Sequence, residues 1–203
     1  MFDPDTIMLI SYFGYGIMIG IMLLYWKLFQ KKTLAELGFT KKACTYFIGV
    51  LIGIVLIVVS VVSVGFTGAI AYHGLFSNIN HIYILLMLGG FICQGAMEEV
   101  LCRGIVLQLL KDRTRIPVAV GVSTALFIIP HLGNMTEESA GIIFFAIINL
   151  IPISLIFSFF TLRLNSIWAA CGLHTIWNFI LYNILGLNLS GNDEKTAAVF
   201  NLS

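Results

Sequence analysis

Glu98 and Glu99 stand side by side in an otherwise apolar run, with Arg103 four residues after the second of them. His131 closes the next apolar run, and His174 and Asn178 lie four residues apart in the last. Two carboxylates, two imidazoles, an amide and a guanidinium form a set that can take a proton from water and stabilise an oxyanion. Residues four apart on a helix share a face, so Glu99 and Arg103 can pair and neutralise each other, and His174 and Asn178 point the same way. Glu98 is then left without a partner on its own helix. A carboxylate with no counter-charge in apolar surroundings is poised to act as a general base or acid.

The elements that must position these groups are membrane spans. The 203-residue chain is 59% hydrophobic and 10% charged, with a mean hydropathy of +1.00, against about 25% charged in an ordinary soluble domain. Such a chain cannot cover itself with polar surface, so the lipid bilayer is its solvent. A spanning helix takes about 20 apolar residues, and runs near that length occupy residues 6–26, 43–64, 81–110, 116–130, 141–162 and 166–187. The expected architecture is all-α, a polytopic membrane helix bundle of about six transmembrane helices, folded as a single transmembrane domain over 1–203 with its core at about 81–187. The fourth run is short and the third long. Ionisable groups at bilayer depth cost about 2.5 to 3.5 kcal/mol each on insertion scales, so each asks for a reason to be there.

Lys27, Lys31, Lys32, Lys41 and Lys42 follow the first run, Lys111, Arg113 and Arg115 follow the third, and Arg163 ends the fifth. The positive-inside rule makes these loops cytoplasmic. Asp3, Asp5, Glu137 and Glu138, and the tail with Asp193, Glu194 and Lys195, fall on the opposite side. Counted from the flanking basic residues at about 1.5 Å per residue, Glu98, His131, His174 and Asn178 all lie roughly 16–24 Å deep. A lone intramembrane histidine or asparagine is commonly an interhelical hydrogen-bonding residue. Groups from three helices in one slab are more economically explained by one shared polar cavity.

Other features carry less chemistry. A net charge of +1 predicts no nucleic-acid partner. Cys44, Cys93, Cys102 and Cys171 have no C-x-x-C spacing and read as small core residues. Gly16-x-x-x-Gly20 and Gly49-x-x-x-Gly53 have the spacing of close helix approach. Leu34, Leu37 and Phe39 among lysines suit either a short helix on the cytoplasmic leaflet or an ordinary basic loop. Sequons at Asn134, Asn188 and Asn201 read as chance occurrences on the outer side. Pro130 beside His131 has a purely structural alternative reading, that of ending the fourth helix.

Alternative hydrolytic schemes fit poorly. Asp3, Asp5, Asp112 and Asp193 lie outside the runs, H-E-x-x-H is absent, and Ser123 lacks the glycine expected after an intramembrane serine nucleophile. Glu98-Glu99-x-x-x-Arg103, Phe127-x-x-x-His131 and His174-x-x-x-Asn178, in that order on late helices, together with the approach Asn165-Ser-Ile-Trp-Ala, resemble the CPBP family. These are CAAX-protease and bacteriocin-processing enzymes, also called the Abi family, and the likeness covers about residues 81–187. The resemblance implies an intramembrane endopeptidase, glutamate-dependent or metal-dependent. By position, Glu98 would be the general base with help from His131, Glu99 and Arg103 the supporting ion pair, and His174 and Asn178 the oxyanion binders or metal-holding residues. Zinc or another divalent metal suits imidazole and carboxylate donors, and the cofactor stays undecided. The expected partner is a membrane-associated peptide or protein, and the short chain suggests a prokaryotic cell membrane. Two other classes compete: a non-catalytic bacteriocin-immunity or peptide-binding protein, and a small proton-coupled transporter, against which stands the lack of two similar halves.

Overall fold

An apolar run in lipid must satisfy its backbone hydrogen bonds within itself, and this forces it into a helix. The computed structural model describes residues 4–70, 72–75, 79–133, 135, 138–187 and 198–202. Its helices are α1 (Pro4–Leu28), α2 (Leu34–Leu37), α3 (Thr45–Gly65), α4 (His81–Glu99), α5 (Leu107–Lys111), α6 (Ile116–Gly133), α7 (Ala140–Leu164) and α8 (Trp168–Phe179). A π-helical segment, Val100–Val106, joins α4 to α5, so His81–Lys111 is one continuous rod. A second π segment, Ile180–Ile184, extends α8. The fold is a polytopic helical membrane bundle in which, among the described residues, five helices are long and apolar enough to cross a bilayer.

The sixth apolar run differs from its neighbours. It forms the 12-residue α8 and the 5-residue π extension rather than a long lipid-facing helix. Residues 169–175 are buried without a break, and α8 packs against α3, α4 and α7. A helix packed among others can carry polar residues that a lipid-facing one cannot. The outer helices show the reverse pattern, exposing Ile17, Phe47, Val55, Ile82 and Phe145 to what would be acyl chains. On α7 the buried residues Ser154, Phe157, Ser158 and Thr161 form one inward stripe at helical spacing.

Close approach of α3 to α8 depends on glycine. A Cβ on Gly49 would lie 2.0 Å from the Ala169 carbonyl oxygen, and one on Gly172 would lie 2.0 Å from that of Tyr46. A Cβ on Gly53 would meet Ile176 at 2.4 Å. The Gly49-x-x-x-Gly53 spacing therefore does what such spacings allow. Gly16-x-x-x-Gly20 does not, since a Cβ on either residue meets nothing within 4 Å among the described residues.

At the basic end, α2 is a single turn held by a capping box. The Thr33 side chain accepts from the Glu36 N–H, and the Thr33 N–H donates to the Glu36 carboxylate at 2.7 Å. Leu37 is fully buried against Trp26, Val100, Ile105 and Ile167, so this turn docks one face into the protein. Gly38, at φ 115°, ends it in the left-handed region. Its carbonyl accepts from the Ile167 N–H at 3.1 Å and the Ser166 hydroxyl at 3.2 Å. Trp168 Nε1 donates to the Thr40 carbonyl at 3.0 Å, fixing the start of α8 to the same loop.

Several expectations are corrected. Pro130 lies inside α6, which continues to Gly133, so it does not end the helix. Cys102 and Cys171 are buried, but Cys93 is half-buried and Cys44 is exposed. Short strands β1 (Tyr72–Leu75) and β2 (Phe200–Leu202) pair antiparallel, Tyr72 with Leu202 and Leu75 with Phe200, beside the helical bundle. Ala198 is buried, so the tail contributes some packing. Asp3, Glu137, Asp193, Glu194 and Lys195, and the sequon residues Asn134 and Asn188, lie outside the described residues. The side chains of Asp5 and Asn201 are likewise not described.

Two outcomes follow from these contacts. Gly172→Ala should destabilise the bundle by about 1–3 kcal/mol or more, because a methyl cannot occupy the space of a backbone carbonyl. Gly16→Ala should be near neutral, and thermal melts in detergent compare the two. The Glu36 carboxyl is held below its ordinary pKa first by the Thr33 N–H and then by the Thr33 hydroxyl. Its contribution is therefore complete above the ordinary carboxylate pKa and lost as pH falls through the depressed folded value. Trp26 Nε1 donates to the Thr33 carbonyl at 2.8 Å, so Trp26 fluorescence should report that loss on acidification, and Glu36→Gln should remove the dependence.

Candidate active site

The i,i+4 geometry of the third span delivers Arg103 onto Glu99, with Nη1 donating to Oε1 at 3.1 Å and both side chains fully buried. The pair straddles the junction of α4 and the π segment, where the wider helical turn shifts the direction of the residues that follow. Arg103 Nη2 also donates to the Ser154 hydroxyl at 2.7 Å and the Ser154 carbonyl at 3.2 Å. The Ser154 hydroxyl donates on to Thr124 at 3.0 Å. The guanidinium carbon lies 4.6 Å from the Phe127 ring centroid and 5.0 Å from that of Phe157. Two ring faces, a carboxylate and two serine oxygens thus replace the water the cation has lost.

His174 reaches the same carboxylate from α8. Its Nδ1 lies 2.9 Å from Glu99 Oε1, and its ring stacks on Phe157 at 5.0 Å and 13°. A carboxylate accepts, so Nδ1 carries the hydrogen and Nε2 points the other way, toward Glu98 Oε2 at 3.9 Å. That gap is too long for a direct hydrogen bond and suits one small bridging group.

Glu98 is not without a partner on its own helix. Gln94, one turn earlier, donates from Nε2 to Glu98 Oε1, and Gln94 Oε1 accepts from Asn178 Nδ2 at 3.0 Å. Gln94 is thus the joint between the α4 carboxylate and the α8 amide. The Glu98 side chain keeps 22% of its surface exposed, whereas Glu99 keeps none. Adjacent carboxyls therefore occupy different environments.

His131 stands apart from this hydrogen-bonded chain. Its Nδ1 donates to the Phe127 carbonyl at 2.8 Å on its own helix. Its ring packs 4.8 Å from Phe127, which lies 5.9 Å from His174. A carbonyl only accepts, so Nε2 of His131 is left as a proton acceptor. The structure thus forms two hydrogen-bonded groups, Glu99 with Arg103 and His174 and Glu98 with Gln94 and Asn178, which approach at 3.9 Å between His174 Nε2 and Glu98 Oε2, and it leaves His131 outside both, in ring contact with Phe127. Among the described residues no three His, Cys, Asp or Glu side chains converge as a metal cage. Ser123, fully buried, donates to the Cys102 carbonyl at 2.9 Å and braces the π segment.

Gln94, Thr124, Ser154 and Phe157 escaped the sequence reading. Gln94 alone left a signal, as a neutral polar residue one turn before Glu98. Serine and threonine are common in membrane helices, and the partners of Ser154 and Thr124 sit on other elements.

A family model for type II CAAX prenyl endopeptidase Rce1-like proteins matches residues 80–180, which include all six of these site residues. The chain belongs to the Rce1-like, CPBP family. No curated protein and no solved structure matches it. The Rce1-like family is one of membrane-embedded proteases, and the five long apolar helices agree with a multi-pass member.

The buried pair gives a thermodynamic signature. Either Glu99→Gln or Arg103→Met should cost about 3–5 kcal/mol by leaving a charge unpaired, while the double replacement should cost well under the sum. Denaturant titration of the four proteins in micelles measures the coupling.

Proposed function

We propose that this Rce1-like protein is an intramembrane endopeptidase that cleaves a membrane-associated peptide or protein with water activated by Glu98. The observation that carries this reading is the pairing of a half-buried Glu98 carboxylate with His174 Nε2 across 3.9 Å, while Glu99 and Arg103 hold the other side of that imidazole. Water placed in the gap gives a proton to Glu98 as its oxygen bonds to the scissile carbonyl carbon, and negative charge moves to the carbonyl oxygen. Asn178 donates one N–H to Gln94, and its second faces the oxyanion. His131, whose Nδ1 is bonded to the Phe127 carbonyl, takes its assisting role in this proposal from its place in the family motif. As the intermediate collapses the C–N bond breaks, and the proton held by Glu98 passes to the leaving amine.

The roles divide by environment. Glu99 is fully buried and accepts from both Arg103 and His174, so it serves as a fixed anion that orients the imidazole. Glu98 is bonded on one oxygen only, by a neutral amide, and keeps the other for chemistry.

Digestion of a peptide library in detergent, followed by mass spectrometry, tests the reading. Glu98→Gln should lower cleavage at least about a hundredfold with helicity and thermal stability largely retained, and His131→Ala should also lower it. Cleavage that survives Glu98→Gln would sink the base assignment. Liposome proton flux that Glu98→Gln abolishes, with no peptidase activity in the parent protein, would favour a carrier.

A further inference from the structure

In an α-helix each carbonyl accepts from the N–H four residues on, and in a π turn from the one five residues on. At the end of the π segment the Leu107 N–H donates to the Cys102 carbonyl, five residues back. That N–H is the one an α-helix would give to Arg103. The wide pattern stops at Val106 and α5 begins at Leu107, so it is not carried one residue further to serve Arg103 either. The change of pattern thus passes over one main-chain acceptor, and that acceptor belongs to the residue that holds Glu99. Inside a bilayer such a group must be satisfied by the protein itself.

Gln108 supplies the donor. Its Nε2 reaches back along the rod to the Arg103 carbonyl at 3.2 Å. The residue is 3% exposed, and its Oε1 is buried with no donor among the described residues. A buried amide satisfied at one end only costs free energy, so what Gln108 contributes is the bond to Arg103. The neighbouring carbonyl is served twice, since Cys102 accepts from the Ser123 hydroxyl at 2.9 Å as well as from Leu107. The rod therefore has an alternative. If the Leu107 N–H turned to Arg103, Ser123 would still satisfy Cys102, and the wide turn would end one residue earlier. Gln108 is the group that favours the observed pattern over that one. We infer that Gln108 is a positioning residue, which fixes where the π segment ends and so aims the Arg103 guanidinium at Glu99 and Ser154. Moving a wide turn redirects the side chains within it, and the Arg103 contacts at 3.1 and 2.7 Å have little slack. His174 depends on the same Glu99 oxygen. The catalytic consequence rests on the protease reading, whereas the hold on Arg103 does not.

Nuclear magnetic resonance of the full-length protein in micelles tests this. Arg103-Gly104 is the only Arg-Gly step in the chain, so carbonyl-labelled arginine combined with nitrogen-labelled glycine gives one resonance, that of the Arg103 carbonyl. Gln108→Met, which keeps the volume and removes the donor, should displace it, whereas Ser123→Ala should leave it near its place. On a peptide that the parent cleaves, Gln108→Met should lower kcat by about ten- to a hundredfold with KM little changed. An unmoved resonance in Gln108→Met, an equal displacement by Ser123→Ala, or a kcat like the parent's would each overturn the proposal. Should Gln108→Met fail to fold, rotational-echo measurement on the parent, labelled at arginine carbonyls and glutamine side-chain nitrogens, should find Gln108 Nε2 at hydrogen-bonding separation from the Arg103 carbonyl. No such pair would overturn it equally. A displaced resonance in a protein whose parent cleaves nothing would sink the protease reading and leave the hold on Arg103 standing.

Discussion

One oxygen atom, Oε1 of Glu99, organises the interior of this bundle. It accepts from Arg103 at 3.1 Å and from His174 at 2.9 Å, joining the third span to the last. In water such a pair is worth little. In a slab where every unpaired charge or amide is costly, it determines which helices must touch. The aromatic faces of Phe127 and Phe157 and the oxygens of Ser154 are needed because Arg103 cannot be left to one carboxylate oxygen. Each of those helpers recruits its own helix, α6 or α7, to the same place. The ion pair is therefore less a source of stability than a constraint on arrangement.

That constraint can act only if α8 lies close enough to α4, and glycine sets this. Gly49 and Gly172 let α3 and α8 approach to backbone contact, which seats α8 in the middle of the bundle with His174 aimed at α4. The Gly38 turn and Ser166 tie the start of α8 to the loop after α1. The position of the imidazole is thus fixed by backbone contacts at the start and middle of its helix.

Much of this was legible in the sequence. The run at 81–110 became His81–Lys111 and that at 141–162 became Ala140–Leu164, because lipid imposes one solution on long apolar segments. The Glu99–Arg103 pair followed from helical spacing alone. What escaped depends on partners that are distant in sequence. Gly16 and Gly49 begin identical spacings, yet only the second meets a helix. The last run reads as one more apolar segment, and its polar residues, from His174 to Asn178, accompany its packing among α3, α4 and α7. Periodicity also hides the π segment, since one wider turn leaves the apolar pattern of its rod intact.

The adjacent carboxyls Glu98 and Glu99 show how neighbouring residues of the same type take different roles. Successive residues on a helix point about 100° apart, so Glu99 turns into the packed junction of α4, α7 and α8 while Glu98 turns toward Gln94, Asn178 and the remaining accessible surface. Glu99 is met by a guanidinium and an imidazole, which compensate its charge in place. Glu98 meets only a neutral amide on one oxygen, and its other oxygen faces the imidazole that Glu99 orients. The inner carboxylate thus sets the geometry in which the outer one can react, and the proposed chemistry requires both because neither environment could support the other role.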